Sequence, residues 1–372
     1  MTPPRTVLLS CGEASGERYA SAVATALREL EPSLRLVGVG GPELEAAGVE
    51  LWASRTQLEV MGFGEVVRHL PRLRRLRAAL ERRCRAESVQ LFLPVDYPGF
   101  HISLAGRLRR QGISVLDLIP PKTWSWGSWR VGALRRSVDR CAVIFPFEQE
   151  YYRARGVDAE FVGHPLAAER PLPQGPRAGL LLVPGSRRQE LAAVGRTVGL
   201  AARRLREEHA LESVRVSRAP GVALEWLDEL RQAAGECEVA EGPLASLLGA
   251  ARAAIVTSGT ASLETALAAT PHVIVYRTSP LTFFLARRLA TVEHIGMANI
   301  VLGRRAFPEL LQSALQVEAL VAELGPLLEA GPAGAQQRAD CAEVRSRLVG
   351  GRWSARVAEM AVSLLDARPA RI

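Results

Sequence analysis

Residues 256–276, VTSGTASLETALAATPHVIVY, read as an apolar run, a Ser-Gly-Thr corner, a short helix and a second apolar run. Two apolar runs joined through a helix form a βαβ unit, whose strands lie parallel. The corner has two readings. A helix N-terminus leaves backbone N–H groups unpaired at the positive end of the dipole, a place suited to a phosphate. Ser258, Gly259 and Thr260 would then hold an anion, and Glu264, one turn on, could accept hydrogen bonds from sugar hydroxyls. The plainer reading makes Thr260 the cap of an ordinary helix. On this stretch alone the plainer reading is preferred.

Outward from that unit, the bulk numbers narrow the class. At 372 residues the chain exceeds one typical core, so two α/β domains are expected. Hydrophobic residues at 48% and charged residues at 23% describe a globular protein. No apolar segment is long enough to span a bilayer, and MTPPRTVLLSCGEAS lacks a signal-peptide layout, which points to the cytoplasm. Cys11, Cys84, Cys141, Cys237 and Cys341 are scattered without CxxC spacing, so no disulfide frame, structural metal site or cofactor is expected. The net charge of +8 is nearly all arginine, with Lys122 the only lysine. Nucleic acid, anionic lipid and a phosphorylated substrate would each suit it. Aromatic residues at only 5% argue against single-stranded nucleic acid.

Apolar runs predict strands at 6–10, 34–40, 89–95, 113–119, 140–147 and 159–164. A second series falls at 179–186, 213–219, 237–242, 253–259 and 272–277, with a helical pattern from 305 to the end. Continuous apolar runs separated by helices fit parallel sheets buried on both faces. The Pro- and Gly-rich stretch 167–179 is the linker. It divides a domain over 1–168, rejoined by a helix in 350–372, from a domain over 177–349. The expected architecture is two doubly wound, Rossmann-like domains facing each other across a cleft.

Ligands of such sheets lie beyond the carboxyl ends of the strands. Gly12, Ser15 and Gly16 form a corner after the first strand, where glycines usually serve only the turn. Asp96 follows the strand 89–95 as a candidate general base or, equally, as the cap of a helix near Phe100. Trp124, Trp126 and Trp129 share a loop with Lys122 and Arg130, a pattern for a binding surface or, for one or two rings, the core. Ser186 and Arg187 open the helix of LLVPGSRRQEL, where arginine could fork onto phosphate oxygens or simply lie on the surface. The segment 59–87 carries Leu70, Leu73, Leu76 and Leu80 on one helix face, most simply packed on the sheet. Its sharper reading is a membrane element, with Val60, Met61 and Phe63 among acyl chains. His164 reads as a structural histidine.

In this order the motifs GEASGE, GVGGPELEAAG, EVMGFGEVV, VDYPGF, TWSWGSWR, FPFEQEYYRARGV with AEFVGHPL, LLVPGSRRQEL, SGTASLETALAATPHVIVYR and MANIVLGRRAFPELLQ resemble the lipid-A-disaccharide synthase family. The match runs from about residue 10 to 315, with nine stretches in register. The resemblance implies the GT-B glycosyltransferase fold and metal-independent, inverting transfer of 2,3-diacylglucosamine from its UDP derivative to 2,3-diacylglucosamine 1-phosphate. It implies a donor site of Ser186, Arg187, Ser258, Gly259, Thr260, Ala261, Glu264 and Asn299, with Asp96 as base. It implies an acceptor and membrane side of Gly12, Ser15, Gly16, Met61, Phe63, Trp124 and Trp126, on an anionic membrane surface at the inner face of the cytoplasmic membrane. The first domain departs from the family pattern: Cys11 heads its first motif and Glu17 ends it, Gly99 and His101 follow Asp96, and the tryptophan loop is longer. His101 could thus share the role of base. Two other readings are a UDP-sugar 2-epimerase and a non-catalytic basic protein that binds nucleic acid or membrane.

Overall fold

In the computed structural model, which describes residues 5–58, 63–168 and 175–367, every strand pairing is parallel. The first sheet comprises β1 (Thr6–Cys11), β2 (Arg35–Gly40), β3 (Glu50–Ser54), β4 (Val89–Val95), β5 (Ser114–Leu118), β6 (Arg140–Val143) and β7 (Ala159–Phe161), in the order β3-β2-β1-β4-β5-β6-β7. The second comprises β8 (Leu180–Val183), β9 (Val214–Ser217), β10 (Glu238–Ala240), β11 (Ala253–Thr257), β12 (His272–Tyr276) and β13 (Glu309–Leu311), ordered β10-β9-β8-β11-β12-β13. Both are doubly wound. Each central strand is buried along its whole length in β1, β5, β8 and β11, because helices cover both faces.

The chain divides into two compact units, Met1–Ala168 with Gly350–Ile372, and Glu169–Val349. The last helix, Trp353–Asp366, belongs to the first unit. Its Trp353 meets Tyr19 edge to face at 5.9 Å, and Arg356 pairs with Glu160 of β7.

Three expectations need correction. The tail from 305 is not wholly helical, since residues 309–311 add an edge strand to the second sheet. The helix of the 256–276 unit, Thr260–Leu267, is capped by Gly259 and not by Thr260. Gly259 takes φ 145°, which a side chain resists, and so starts the helix one residue earlier. The strand expected over 140–147 also stops at Val143, because Pro146 opens the helix Pro146–Arg153.

On the helix Phe63–Ala86, Leu76, Leu80 and Cys84 enter the core of the first unit and Leu73 packs beside them, whereas Leu70 is exposed. That is the sheet-packing reading of the stripe. Val60 and Met61 lie outside the described residues, as does the side chain of Phe63.

Candidate active site

In each sheet the winding reverses between two central strands, β1 and β4 in the first, β8 and β11 in the second. Loops leaving these strands diverge, which opens space beyond their carboxyl ends. The candidate residues gather at those two places.

In the first unit β1 and β4 run in register, Cys11 against Val95, so the turns after them are neighbours. Asp96 and Tyr97 both take left-handed backbone, φ 52° and 56°, before Pro98 starts the helix Pro98–Arg110. Two consecutive non-glycine residues in that region cost free energy and mark a turn held by its surroundings. The hold is visible. The Asp96 N–H donates to Leu118 O at 2.9 Å, and the Tyr97 hydroxyl donates to Leu58 O. The Tyr97 ring lies on Gly12, where a Cβ would stand 2.3 Å from the ring. Gly12 thus makes room for the tyrosine. Gly16 is buried beside Val95, and Ser15 is exposed on the first turn of the helix Ala14–Leu30.

Asp96 is not a helix cap, because Tyr97 occupies that position and the Asp96 carboxylate accepts the Tyr97 N–H at 2.8 Å. Its carboxyl is exposed at the rim yet crowded by protein, which pushes its pKa up; the Tyr97 N–H and the Lys122 ammonium hold it down. His101 is held as a structural ring. Its ring is buried among Phe92, Tyr97 and Phe100, and Nδ1 contacts the Asp96 carbonyl oxygen. A carbonyl only accepts, so Nδ1 carries the proton and Nε2, 2.9 Å from Ser10 Oγ, accepts from that hydroxyl. Burial pushes the imidazole down to about 4. Both nitrogens are engaged, and the neutral ring props the turn that presents Asp96.

Glu17, which departs from the family pattern, is buried and accepts Glu43 N at 2.9 Å and Leu44 N at 3.3 Å while pairing with Arg55 at 2.6 Å. It ties the helix Ala14–Leu30 after β1 to the short helix Pro42–Ala46 after β2 and to Arg55 beyond β3. The tryptophans divide. Trp124 is 5% exposed, packs edge-on to Phe147 at 4.9 Å and donates to Glu148 Oε1 at 2.7 Å. That corrects its placement on a membrane-facing surface: burial and the Glu148 bond make it a core ring. Trp126 and Trp129 are 50% and 69% exposed, with the Arg130 guanidinium 5.4 Å from the Trp126 ring.

In the second unit β8 and β11 are adjacent, Val183 against Val256. Ser186 and Arg187 are exposed at the start of the helix Arg188–His209, and Arg187 pairs with Glu190 at 2.8 Å. Gly259, Thr260 and Ala261 form the N-terminus of the helix after β11, with Glu264 half-buried one turn on. Ser258 turns away from that N-terminus and donates through Oγ to Ile295 O at 3.0 Å.

Asn299 does not join them as a free hand. It is fully buried, donates to Phe307 O and Glu309 Oε1 at 2.8 Å each, and accepts from Ala306 N and Phe307 N at 2.9 Å each. Two donors and two acceptor sites are all that a side-chain amide has. The expectation that it contacts the donor is therefore corrected, since every hydrogen-bonding position is filled by the chain. Glu309, which the sequence did not single out, completes a clamp by accepting Gly296 N at 3.0 Å and Ile295 N at 3.2 Å. The clamp fixes the segment whose Ile295 carbonyl receives Ser258.

Asp117 was likewise missed. It lies inside the apolar run of β5, buried, and both burial and the Asp96 charge push its carboxyl well above the carboxylate range. His164 is buried with its Nδ1 accepting Leu166 N at 3.2 Å, a structural arrangement.

These sites sit at the strand ends of two doubly wound sheets, and comparison with known proteins places them in a family. The family model of lipid-A-disaccharide synthetase matches residues 7–361. The chain belongs to the lipid-A-disaccharide synthetase family. The lipid-A-disaccharide synthase of Acidobacterium capsulatum is 37% identical over 396 aligned residues, covering 100% of this chain and 99% of that protein. Among solved structures, the UDP-GlcNAc 2-epimerase of Neisseria meningitidis bound to UDP-GlcNAc aligns with a TM-score of 0.62 at 9% identity, over 98% of this chain and 100% of that one. A glycosyltransferase of Rickettsia africae gives 0.59 at 9%, over 98% and 99%. At such identities the likeness speaks for the fold alone, GT-B. Members of the lipid-A-disaccharide synthetase family are glycosyltransferases, and so is this protein.

Proposed function

We propose that the protein transfers 2,3-diacylglucosamine from its UDP derivative to the 6-hydroxyl of 2,3-diacylglucosamine 1-phosphate, giving a β-1,6-linked disaccharide and UDP. A UDP-sugar is the donor. The acceptor hydroxyl oxygen attacks the anomeric carbon, the bond from that carbon to the UDP oxygen breaks, and the hydroxyl proton passes to Asp96. UDP departs with its negative charge facing the N–H groups of Gly259, Thr260 and Ala261 and the Arg187 guanidinium, groups suited to a diphosphate. Glu264 takes the ribose hydroxyls. Among the described residues no helix is long and apolar enough to cross a membrane, and the proposed setting is peripheral, on the inner face of the cytoplasmic membrane.

The observation that carries this reading is the held, left-handed turn that presents Asp96 in a chain matching the family model over residues 7–361. The test is UDP release. UDP should appear only when both acyl sugars are present. Release from the donor alone, or interconversion of a UDP-sugar without an acceptor, would replace this reading by an epimerase or a hydrolase.

A further inference from the structure

The second unit carries an apolar element that its own core does not absorb. The helix Pro280–Leu289, PLTFFLARRL, exposes Leu281 by 69%, Phe284 by 54% and Leu289 by 49%. An ordinary helix on a doubly wound sheet buries such residues. Leu281 and Phe284 are three apart and so lie together on one side of the helix. Arg287 and Arg288 follow in its last turn, both exposed, with the Arg288 guanidinium 5.0 Å from the Phe284 ring. From Arg277 to Val292 the chain has no acidic residue, and Glu293 is the first beyond.

Large apolar side chains projecting beside arginines, with no carboxylate among them, fit the boundary between anionic headgroups and acyl chains. We infer that the helix Pro280–Leu289 is a lipid-docking element of the second unit, with Leu281, Phe284 and Leu289 entering the acyl region of an anionic bilayer and Arg287 and Arg288 meeting its phosphates. A second copy of the chain fits less well, because two such helices would bring four arginines together with no acidic partner in the segment. The inference rests on the proposed function only in that both sugars there are membrane lipids, and it locates contact on an element distinct from the helix Phe63–Ala86.

The test is co-sedimentation of the full chain with vesicles of phosphatidylethanolamine and phosphatidylglycerol, and with vesicles of phosphatidylcholine alone. The chain should bind the anionic vesicles, less so as salt rises. Leu281→Ser with Phe284→Ser should weaken binding at least about tenfold, the worth of one to two buried apolar side chains. Arg287→Gln with Arg288→Gln should weaken binding to anionic vesicles about 25-fold, at roughly a fivefold factor per arginine near the surface. All four positions are exposed, so folding should survive, as circular dichroism would check. Wild-type indifference to anionic vesicles overturns the inference, as does undiminished binding of both variants. A wild-type dimer that either variant turns into a monomer by light scattering also overturns it, since the helix is then a self-interface. UDP release from detergent-dispersed substrates is scored separately: its loss in the wild type would undo the proposed reaction and leave vesicle binding to stand or fall alone.

Discussion

Replacing Asn299 by alanine separates a ligand contact from a structural clamp. The substitution removes four hydrogen bonds, two at 2.8 Å and two at 2.9 Å, from a side chain with no exposed surface. It leaves the N–H groups of Ala306 and Phe307 and the Phe307 carbonyl without their partner. At about 1 kcal/mol net per bond, and more for each buried group left unsatisfied, the cost is about 3–5 kcal/mol. A unit of this size shifts its Tm by roughly 2–4 °C per kcal/mol, so the ligand-free protein should melt roughly 6–20 °C lower. Asn299→Asp keeps the shape but sets a second carboxylate against Glu309, and should be no milder. Calorimetric melting without nucleotide, followed by UDP titration, reads both effects. If ligand-free Asn299→Ala melts like the wild type while its UDP affinity collapses, the amide serves the ligand and the clamp is wrong.

Other expectations follow from the same geometry. Asp96→Asn removes basicity while keeping shape, so turnover should drop by ~10²–10⁴ with UDP affinity nearly constant, whereas near-native turnover would remove Asp96 from the reaction. His101→Gln should lower turnover by loosening the turn without removing the acidic limb of the pH–rate profile; loss of that limb would return the base role to the imidazole. Arg187→Ala should weaken UDP binding by roughly 1.5–3 kcal/mol, the worth of a hydrogen bond between charged groups, and unchanged titration calorimetry would contradict its placement at the diphosphate. Glu148 is held up to about 7 from 4.5, burial outweighing the Trp124 and Phe145 N–H groups and the Lys122 charge. The folded state therefore holds that proton more tightly than the unfolded one. Its stabilisation is present below about 4.5 and is lost as pH rises through about 7. Relative to Glu148→Gln, the wild type should lose about 3 kcal/mol over that window in urea unfolding, and parallel curves would refute the assignment.

The apolar runs of the sequence became the central strands because a strand covered on both faces is apolar over most of its length. The same rule hid the edges. Glu50–Ser54 is half exposed and shows no such run, and Glu309–Leu311 is three residues long, shortly before the helices that begin at Val317. At the site, glycine corners and strand ends could be read in advance, but hydrogen-bond saturation could not. Asn299 and Glu309 are ten residues apart, and only the fold aims one at the other. The Asp96–Tyr97 turn gave no signal either, since neither residue is glycine and the positive φ values are imposed by Tyr97 seating on Gly12. Asp117 was concealed by its neighbours, a single carboxyl inside SVLDL.

In a chain whose other cations are arginines, Lys122 is exposed, and its charge acts on both Asp96 and Glu148. Lys122 is consequently the one side-chain amine that an acylating reagent can modify, and its charge is felt by the carboxylate proposed to accept the proton. Acylation erases the cation, and with it the pull that keeps both carboxyls from rising further. The proton affinity of Asp96 can thereby be raised without altering a single codon.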